Sequence, residues 1–216
     1  MKVLLVAKAP VPGRVKTRLG ARIGDDQAAV LAAAALLDTI DACRSAGAEG
    51  HLSLAGDLSD SVQGEEISAA LEGWTISPQR GNTFAERLVA AHLDAGPGAV
   101  VQIGMDTPHV TAAALIAVAD GLARHDAVLG PAVDGGWWAL ARQDPHAVRH
   151  VAEVAMSRDT TFVDTQRALE RAGCRVGHAA TMTDVDTVAD ADLVAIISSH
   201  LRFAHAWRSV CSGVSR

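Results

Sequence analysis

After Lys16 this 216-residue chain contains no lysine at all. Lys2, Lys8 and Lys16 are its three lysines, and beyond them positive charge is carried by arginine. Cysteine is scarce: Cys43, Cys174 and Cys211 are odd in number, far apart and include no Cys-x-x-Cys pair. That excludes a disulfide framework and a cysteine-built zinc centre, and it makes a reducing cytoplasm the expected setting. Long apolar runs are missing too. The longest, Ala28 to Leu37, is about half a membrane span. Val3 to Ala7 is too short for a signal-peptide core and is interrupted by Lys8. There is no surplus of basic charge either. Nineteen Lys and Arg face 25 Asp and Glu, for a net charge of −6 and a pI near 5.8. A general nucleic-acid binder needs a broad cationic face, so that class is disfavoured. No Gly-x-x-x-x-Gly-Lys-Ser/Thr loop, Gly-x-Gly-x-x-Gly fingerprint or Gly-x-Ser-x-Gly elbow occurs. Their absence weighs against P-loop, classical dinucleotide and serine-hydrolase chemistry.

What is present points to a globular α/β domain. Hydrophobic residues make up 49% and charged residues 20%, enough for a real core. The apolar run Val3–Ala7 opens into Lys8-Ala9-Pro10-Val11-Pro12-Gly13-Arg14-Val15-Lys16-Thr17-Arg18, which gathers Gly, Pro and positive charge. Lysine is a compact, mobile point charge where arginine is a rigid fork. Its retention here suits a loop that cradles phosphate, although a solvated loop after a first strand has the same composition. An acidic protein with one basic pocket fits a small anionic ligand accompanied by a metal.

Strands and helices alternate along the chain. Val3–Ala7, His51–Ala55, Trp74–Ser77, Ala99–Ile103, Ala127–Gly130, Gly136–Ala141 and Cys174–His178 read as strands. Helices are expected from Asp25 or Asp26 as cap to about Ala46, with Gly47 and Gly50 as stops, and from Phe84 to Asp94 behind a Thr83/Glu86 capping box. Further helices are expected from the Thr111 cap to about Arg124, from Arg158 to Ala172 and from Thr187 to His200, with a loop and short helix over Ser59–Leu71. This predicts a three-layer α/β/α sandwich on a mostly parallel sheet, with one domain over 1–200 and a polar tail of uncertain order over 201–216. In such sheets ligands sit beyond the carboxyl ends of the strands, which is where the charged motifs fall.

Asp106, in Gly104-Met105-Asp106-Thr107-Pro108, follows a strand and can bind Mg²⁺ or Mn²⁺ or make an Asx turn. Asp134-Gly135-Gly136 allows a tight turn and close approach of backbone to a ligand, and one of Trp137 and Trp138 can stack at the rim while the other is core. Asp184 and Asp186 share a face if their segment is extended, whereas Asp186 or Thr187 can instead cap a helix. Gln79 can pair with the edge of a base, and Gly81 can let a base lie against the backbone. His146 and His150, spaced i, i+4, lack a third ligand nearby, which favours a surface pair. The Ala28–Leu37 face suits packing on the sheet or dimerisation.

Taken together, Ala7 to Leu19, Gln79-Arg80-Gly81, Gly104-x-Asp106-x-Pro108, Gly130-Pro131-Ala132-x-Asp134-Gly135-Gly136 and Asp184-Val185-Asp186-Thr187 resemble a bacterial family of GT-A-like proteins. Members are called glycosyltransferase-like or similar to 2-phospho-lactate guanylyltransferase. The likeness covers roughly residues 2 to 195. It implies the nucleotide-diphospho-sugar transferase fold and a nucleotide with Mg²⁺ or Mn²⁺. By the same resemblance Lys8, Pro12, Gly13, Arg14, Lys16 and Arg18 form the phosphate side. Gln79 and Gly81 lie near the base, Asp134, Gly135 and Gly136 close the site, and Asp106 with Asp186 holds metal. Lys16, Arg18 and Asp106 become the expected catalytic residues. The chain departs from the family at Phe84-Ala85, Trp137-Trp138 and Met156-Ser157-Arg158, all on the expected acceptor side. The reaction expected is metal-dependent nucleotidyl transfer from a nucleoside triphosphate to a small phosphorylated or acidic acceptor. Glycosyl transfer from a sugar nucleotide and nucleotide binding without catalysis are the alternatives. No nucleic-acid or membrane partner is expected.

Overall fold

The computed structural model describes residues 1 to 214, with side chains to residue 212. Seven strands form one sheet: β1 (Lys2–Lys8), β2 (Glu49–Ala55), β3 (Thr75–Pro78), β4 (Val100–Gly104), β5 (Ala127–Pro131), β6 (Trp137–Arg142) and β7 (Val176–His178). Their order is β3-β2-β1-β4-β6-β5-β7. Only β6 runs against its neighbours, pairing antiparallel with both β4 and β5. The fold is an α/β sandwich on a mixed, mostly parallel sheet.

Strand alternation builds the layers. Val3, Leu5 and Ala7 of β1 point to one face, where α2 (Asp25–Ser45), α3 (Gly64–Ala70) and α5 (Ala112–Asp120) bury them. Leu4 and Val6 point to the other, against α4 (Phe84–Asp94), while α6 (Thr161–Arg171) and a 3₁₀ segment, Pro145–Glu153, cover the far half of that face. Thr83 makes the expected capping box with Glu86, and Thr111 caps α5.

Several local expectations change. Gly50 lies inside β2, because a side chain there would collide with the Trp74 ring, so Gly47 alone marks the stop. Asp25 and Asp26 occupy the first turn of α2, where they face its positive dipole end, and Gly24 holds the cap. A short helix, α1 (Thr17–Ile23), follows the cationic loop directly. Residues 202–214, read from sequence as a polar tail, form α8 (Arg202–Val214), whose Phe203, Ala204, Trp207 and Val210 are buried against α2 and α7 (Val188–Ile197). The buried carboxylate of Asp38, on α2, accepts from the backbone N–H groups of Arg202 (3.1 Å) and Phe203 (2.9 Å), so one helix caps the start of another. Burial, partly offset by those bonds, raises its pKa. Ser215 and Arg216 lie outside the described residues. The Ala28–Leu37 stretch is covered by the sheet on one side and by α7 and α8 on the other, so almost all of it is interior and it offers no dimer face. No helix among the described residues is long and apolar enough to cross a membrane.

Candidate active site

Beyond the carboxyl ends of β1 and β4 lies a cavity of about 470 Å³. Its lining brings together Lys8, Lys16, Arg18, Gln79, Asp106, Asp134, Gly136 and Asp186, which are widely separated in sequence. Pro12, Gly13, Arg14, Gly81 and Gly135 do not line it.

Lys16 is the centre of the charged rim. Its backbone adopts the left-handed conformation (φ 48°, ψ 38°), uncommon for a side-chain-bearing residue, at the N-cap of α1. Its side chain is only 4% exposed, with Nζ on the Asp106 carboxylate and on the carbonyl of Val185. Arg18 reaches Asp186 at 3.3 Å. Two cations, one at the N-cap and one in the first turn of α1, therefore meet two carboxylates from distant segments.

The acidic segment is arranged by its own capping. Thr187 caps α7 reciprocally with Asp190, and Asp190 also accepts from the Asp186 N–H. That leaves the Asp186 side chain to the pocket. Asp184 accepts from Thr107 Oγ1 at 2.7 Å. Its pKa is pushed up to about 6, chiefly by burial and also by the charges of Asp106 and Asp134, against the relief from Thr107 and Lys16. Asp186 is raised too, chiefly by burial, opposed by Lys16 and Arg18.

The Asp134–Gly136 turn is held from outside the pocket. Asp134 accepts from the Gly136 N–H at 2.8 Å. Gly135 has φ +87°, and an added Cβ would lie 2.2 Å from the Asp159 carbonyl. Its glycine is required by packing against the 156–161 loop. Gly81 is likewise explained by packing, since a Cβ there would meet Glu86 and the backbone of Arg87 at the start of α4. Trp138 is 3% exposed and donates to the Ala180 carbonyl, whereas Trp137 is half-buried and donates to Thr165. His150 pairs with Glu153 at 3.0 Å, away from the cavity.

Phe84, Met156, Ser157 and Arg158, which the sequence reading put on the acceptor side without a role, line the cavity, and Gln102 and Thr161 line it without having been singled out. Most of that wall coincides with the departures from the family pattern, which was its available signal. Gln102 gave none, standing alone in an apolar strand.

The sequence profile of a family described as "Uncharacterized protein conserved in bacteria (DUF2064)" matches residues 38–158, more than half of the chain. The chain belongs to the DUF2064 family. This DUF2064 protein is similar in structure to a protein of Desulfovibrio desulfuricans G20 provisionally described as a nucleotide-diphospho-sugar transferase. That pair is 25% identical with a TM-score of 0.80, over 98% of this chain and 96% of the other. It shares its fold with Rv0371c of Mycobacterium tuberculosis H37Rv in complex with manganese (20% identity, TM-score 0.54, 90% and 98% covered). It also shares it with the 4-diphosphocytidyl-2C-methyl-D-erythritol synthase of Anaerococcus prevotii DSM 20548 (12% identity, TM-score 0.59, 92% and 99% covered). No curated protein matches the chain in sequence.

Proposed function

We propose that this DUF2064 protein is a metal-dependent nucleotidylyltransferase. It moves a nucleoside monophosphate from a nucleoside triphosphate to a small phosphorylated or acidic acceptor and releases pyrophosphate. The observation that carries this reading is the meeting of Lys16 and Arg18 with Asp106 and Asp186 in one cavity at the carboxyl edge of the sheet. The A. prevotii relative, whose name carries a diphosphocytidyl group, supports it.

An acceptor oxygen attacks the α-phosphorus, the bond from that phosphorus to the bridging oxygen of the β-phosphate breaks, and pyrophosphate leaves. Such chemistry needs alignment and charge neutralisation more than a covalent intermediate. Lys16 and Arg18 supply positive charge to the phosphate oxygens, with Lys8 on the same wall. Gln79 and Trp137 position the nucleotide and acceptor.

The residues present fit a divalent cation. All the acidic donors are oxygens, as hard cations prefer. Burial first, and then the neighbouring charges of Asp106 and Asp134, raise the pKa values of Asp184 and Asp186, and a bound cation would offset both. Asp106 and Asp186 would hold it, and bound Mg²⁺ or Mn²⁺ would supply charge neutralisation on the triphosphate. Among the described residues no group of three His, Cys, Asp or Glu side chains encloses a metal position. Lys16 rests on Asp106 and competes with such an ion for that carboxylate.

The test is product analysis over a panel of triphosphates, sugar nucleotides and acceptors. Metal-dependent pyrophosphate release that Asp106→Asn abolishes is the expected result. Release of a nucleoside diphosphate from a sugar nucleotide would replace this reading with glycosyl transfer, the alternative favoured by the description of the D. desulfuricans relative. Undiminished metal-dependent turnover in Asp106→Asn would remove the role given to that carboxylate.

A further inference from the structure

The ammonium of Lys16 is already engaged within the protein. Nζ lies on the Asp106 carboxylate and on the Val185 carbonyl, and the side chain is almost fully buried. Those two partners belong to segments that are joined to each other. The Val185 N–H donates to the Asp106 carbonyl at 2.9 Å, and Thr107 Oγ1 donates to Asp184 at 2.7 Å. Lys16 thus sits where the segment after β4 and the segment before α7 are stitched together. Its contacts are a carboxylate oxygen and a backbone carbonyl oxygen, the kinds of donor that a hard divalent cation takes. Asp184 and Asp186 stand close enough for the charge of Lys16 to favour their ionised forms.

The backbone beneath this side chain is held. The Lys16 carbonyl accepts from the Gly20 N–H at 2.7 Å, and Val15 beside it is buried. Movement therefore falls to the four-carbon stem, which is flexible and carries a compact charge. A divalent cation arriving at Asp106 meets that charge, and the two repel. Expelling the ammonium would leave a charge without its carboxylate, which is costly for a group that starts out buried. A triphosphate removes that cost, because its oxygens receive the ammonium as Asp106 is released.

Resting on the nucleotide reading above, we infer that Lys16 is the resident counter-cation of the acidic site, lying across the metal position until a triphosphate draws it off. Metal alone binds weakly, and metal and triphosphate each raise the affinity of the other. Asp106 exchanges ammonium for metal in the same event that moves the ammonium onto phosphate.

Electron paramagnetic resonance of free Mn²⁺ reads metal affinity without turnover. Lys16→Met should bind Mn²⁺ alone about tenfold or more tighter than wild type, within the ordinary range of coupling between sites. Adding Asp106→Asn to Lys16→Met should remove that gain. Coupling is reciprocal, so the ratio of triphosphate affinity in Mg²⁺ to that in EDTA should shrink by the same factor in Lys16→Met. Calorimetry with GTP, CTP, UTP and ATP measures that ratio. Should Lys16→Met fail to fold, wild type answers through acetic anhydride labelling, with Lys2, engaged by Ala95 and Glu49 at the other end of β1, as internal reference. Lys16 should label slowly in the protein alone and severalfold faster once Mn²⁺ saturates the site. Unchanged Mn²⁺ affinity in folded Lys16→Met, or unchanged Lys16 labelling at saturating Mn²⁺, would overturn the inference and leave nucleotidyl transfer standing. Failure of all four triphosphates to bind wild type would instead remove the nucleotide reading and the coupling built on it.

Discussion

The rim and the floor of the cavity hold their polar groups by different physics. At the rim, Lys16 with Asp106 and Arg18 with Asp186 set charge against charge, and three of those four side chains are 43% exposed or more. The exposed Arg18–Asp186 pair is screened, and its partners can be exchanged for a ligand's charges at small cost. At the floor, Arg142, His92 and Gln102 are all buried, and no carboxylate joins them. Their order comes from donor and acceptor direction, which cannot be rearranged without leaving a buried group unpaired. The rim is built to trade partners, and the floor is built to keep them.

The largest effect should come from breaking the floor. Arg142→Met strips donors from four carbonyls and from the His92 ring, and should cost roughly 4 kcal/mol of stability in urea denaturation. A loss below about 1 kcal/mol would make the floor no more constrained than the rim. Next, Lys16→Met should lower turnover by about 10²–10³, as loss of one electrostatic stabiliser does, while stability changes far less. Equal losses of stability and turnover would show Lys16 to be a structural strut.

The pH response separates the two regions further. Burial first, then the charge of Arg142, lowers the His92 pKa from 6.5 to about 3. The unfolded chain takes up that proton below about pH 6.5 and the folded chain does not, so stability is full above 6.5 and is lost as pH falls toward 3. The slope from this residue approaches about 1.4 kcal/mol per pH unit, and His92→Gln should remove it. The smallest effect belongs to Arg18→Gln. Its exposed ion pair contributes less than about 1 kcal/mol, so the urea midpoint should hardly move while triphosphate affinity falls.

Most of the fold was legible because single residues announced it. The Val3–Ala7 run, the Thr83–Glu86 box and Thr111 each fixed an element where the structure has it. What escaped had weaker local marks. α1 follows directly on a left-handed lysine, a conformation composition does not reveal. α8 buries Phe203, Trp207 and Val210, a four-then-three spacing masked by the His and Arg residues between them. At the site, the charged motifs were readable as short clusters, and Lys8, Lys16, Arg18, Asp106, Asp134 and Asp186 do share one cavity. The hydrogen-bonded chain from Arg142 through His92 to Gln102 was not readable. Its members come from α4, β4 and β6, and the antiparallel register that sets Gln102 opposite Leu140 and Arg142 opposite Val100 is a property of the assembled sheet.

The reversed strand β6 has one more consequence. Because it runs against β4 and β5, the β5–β6 hairpin turns at the carboxyl edge, and its tip at residues 132–136 forms part of the cavity wall. Val133 at that tip is 69% exposed, and the ladder below is closed by Pro131 opposite Trp137. The tip is tied down where Ala132 bridges to Met182, where Val133 N–H donates to the Met182 carbonyl and where the Gly135 carbonyl accepts from Phe162, so exchange is confined to outward side chains such as Val133. The protein thus carries one wall of its cavity on a hairpin whose outward side chains can change while the buried floor stays as it is.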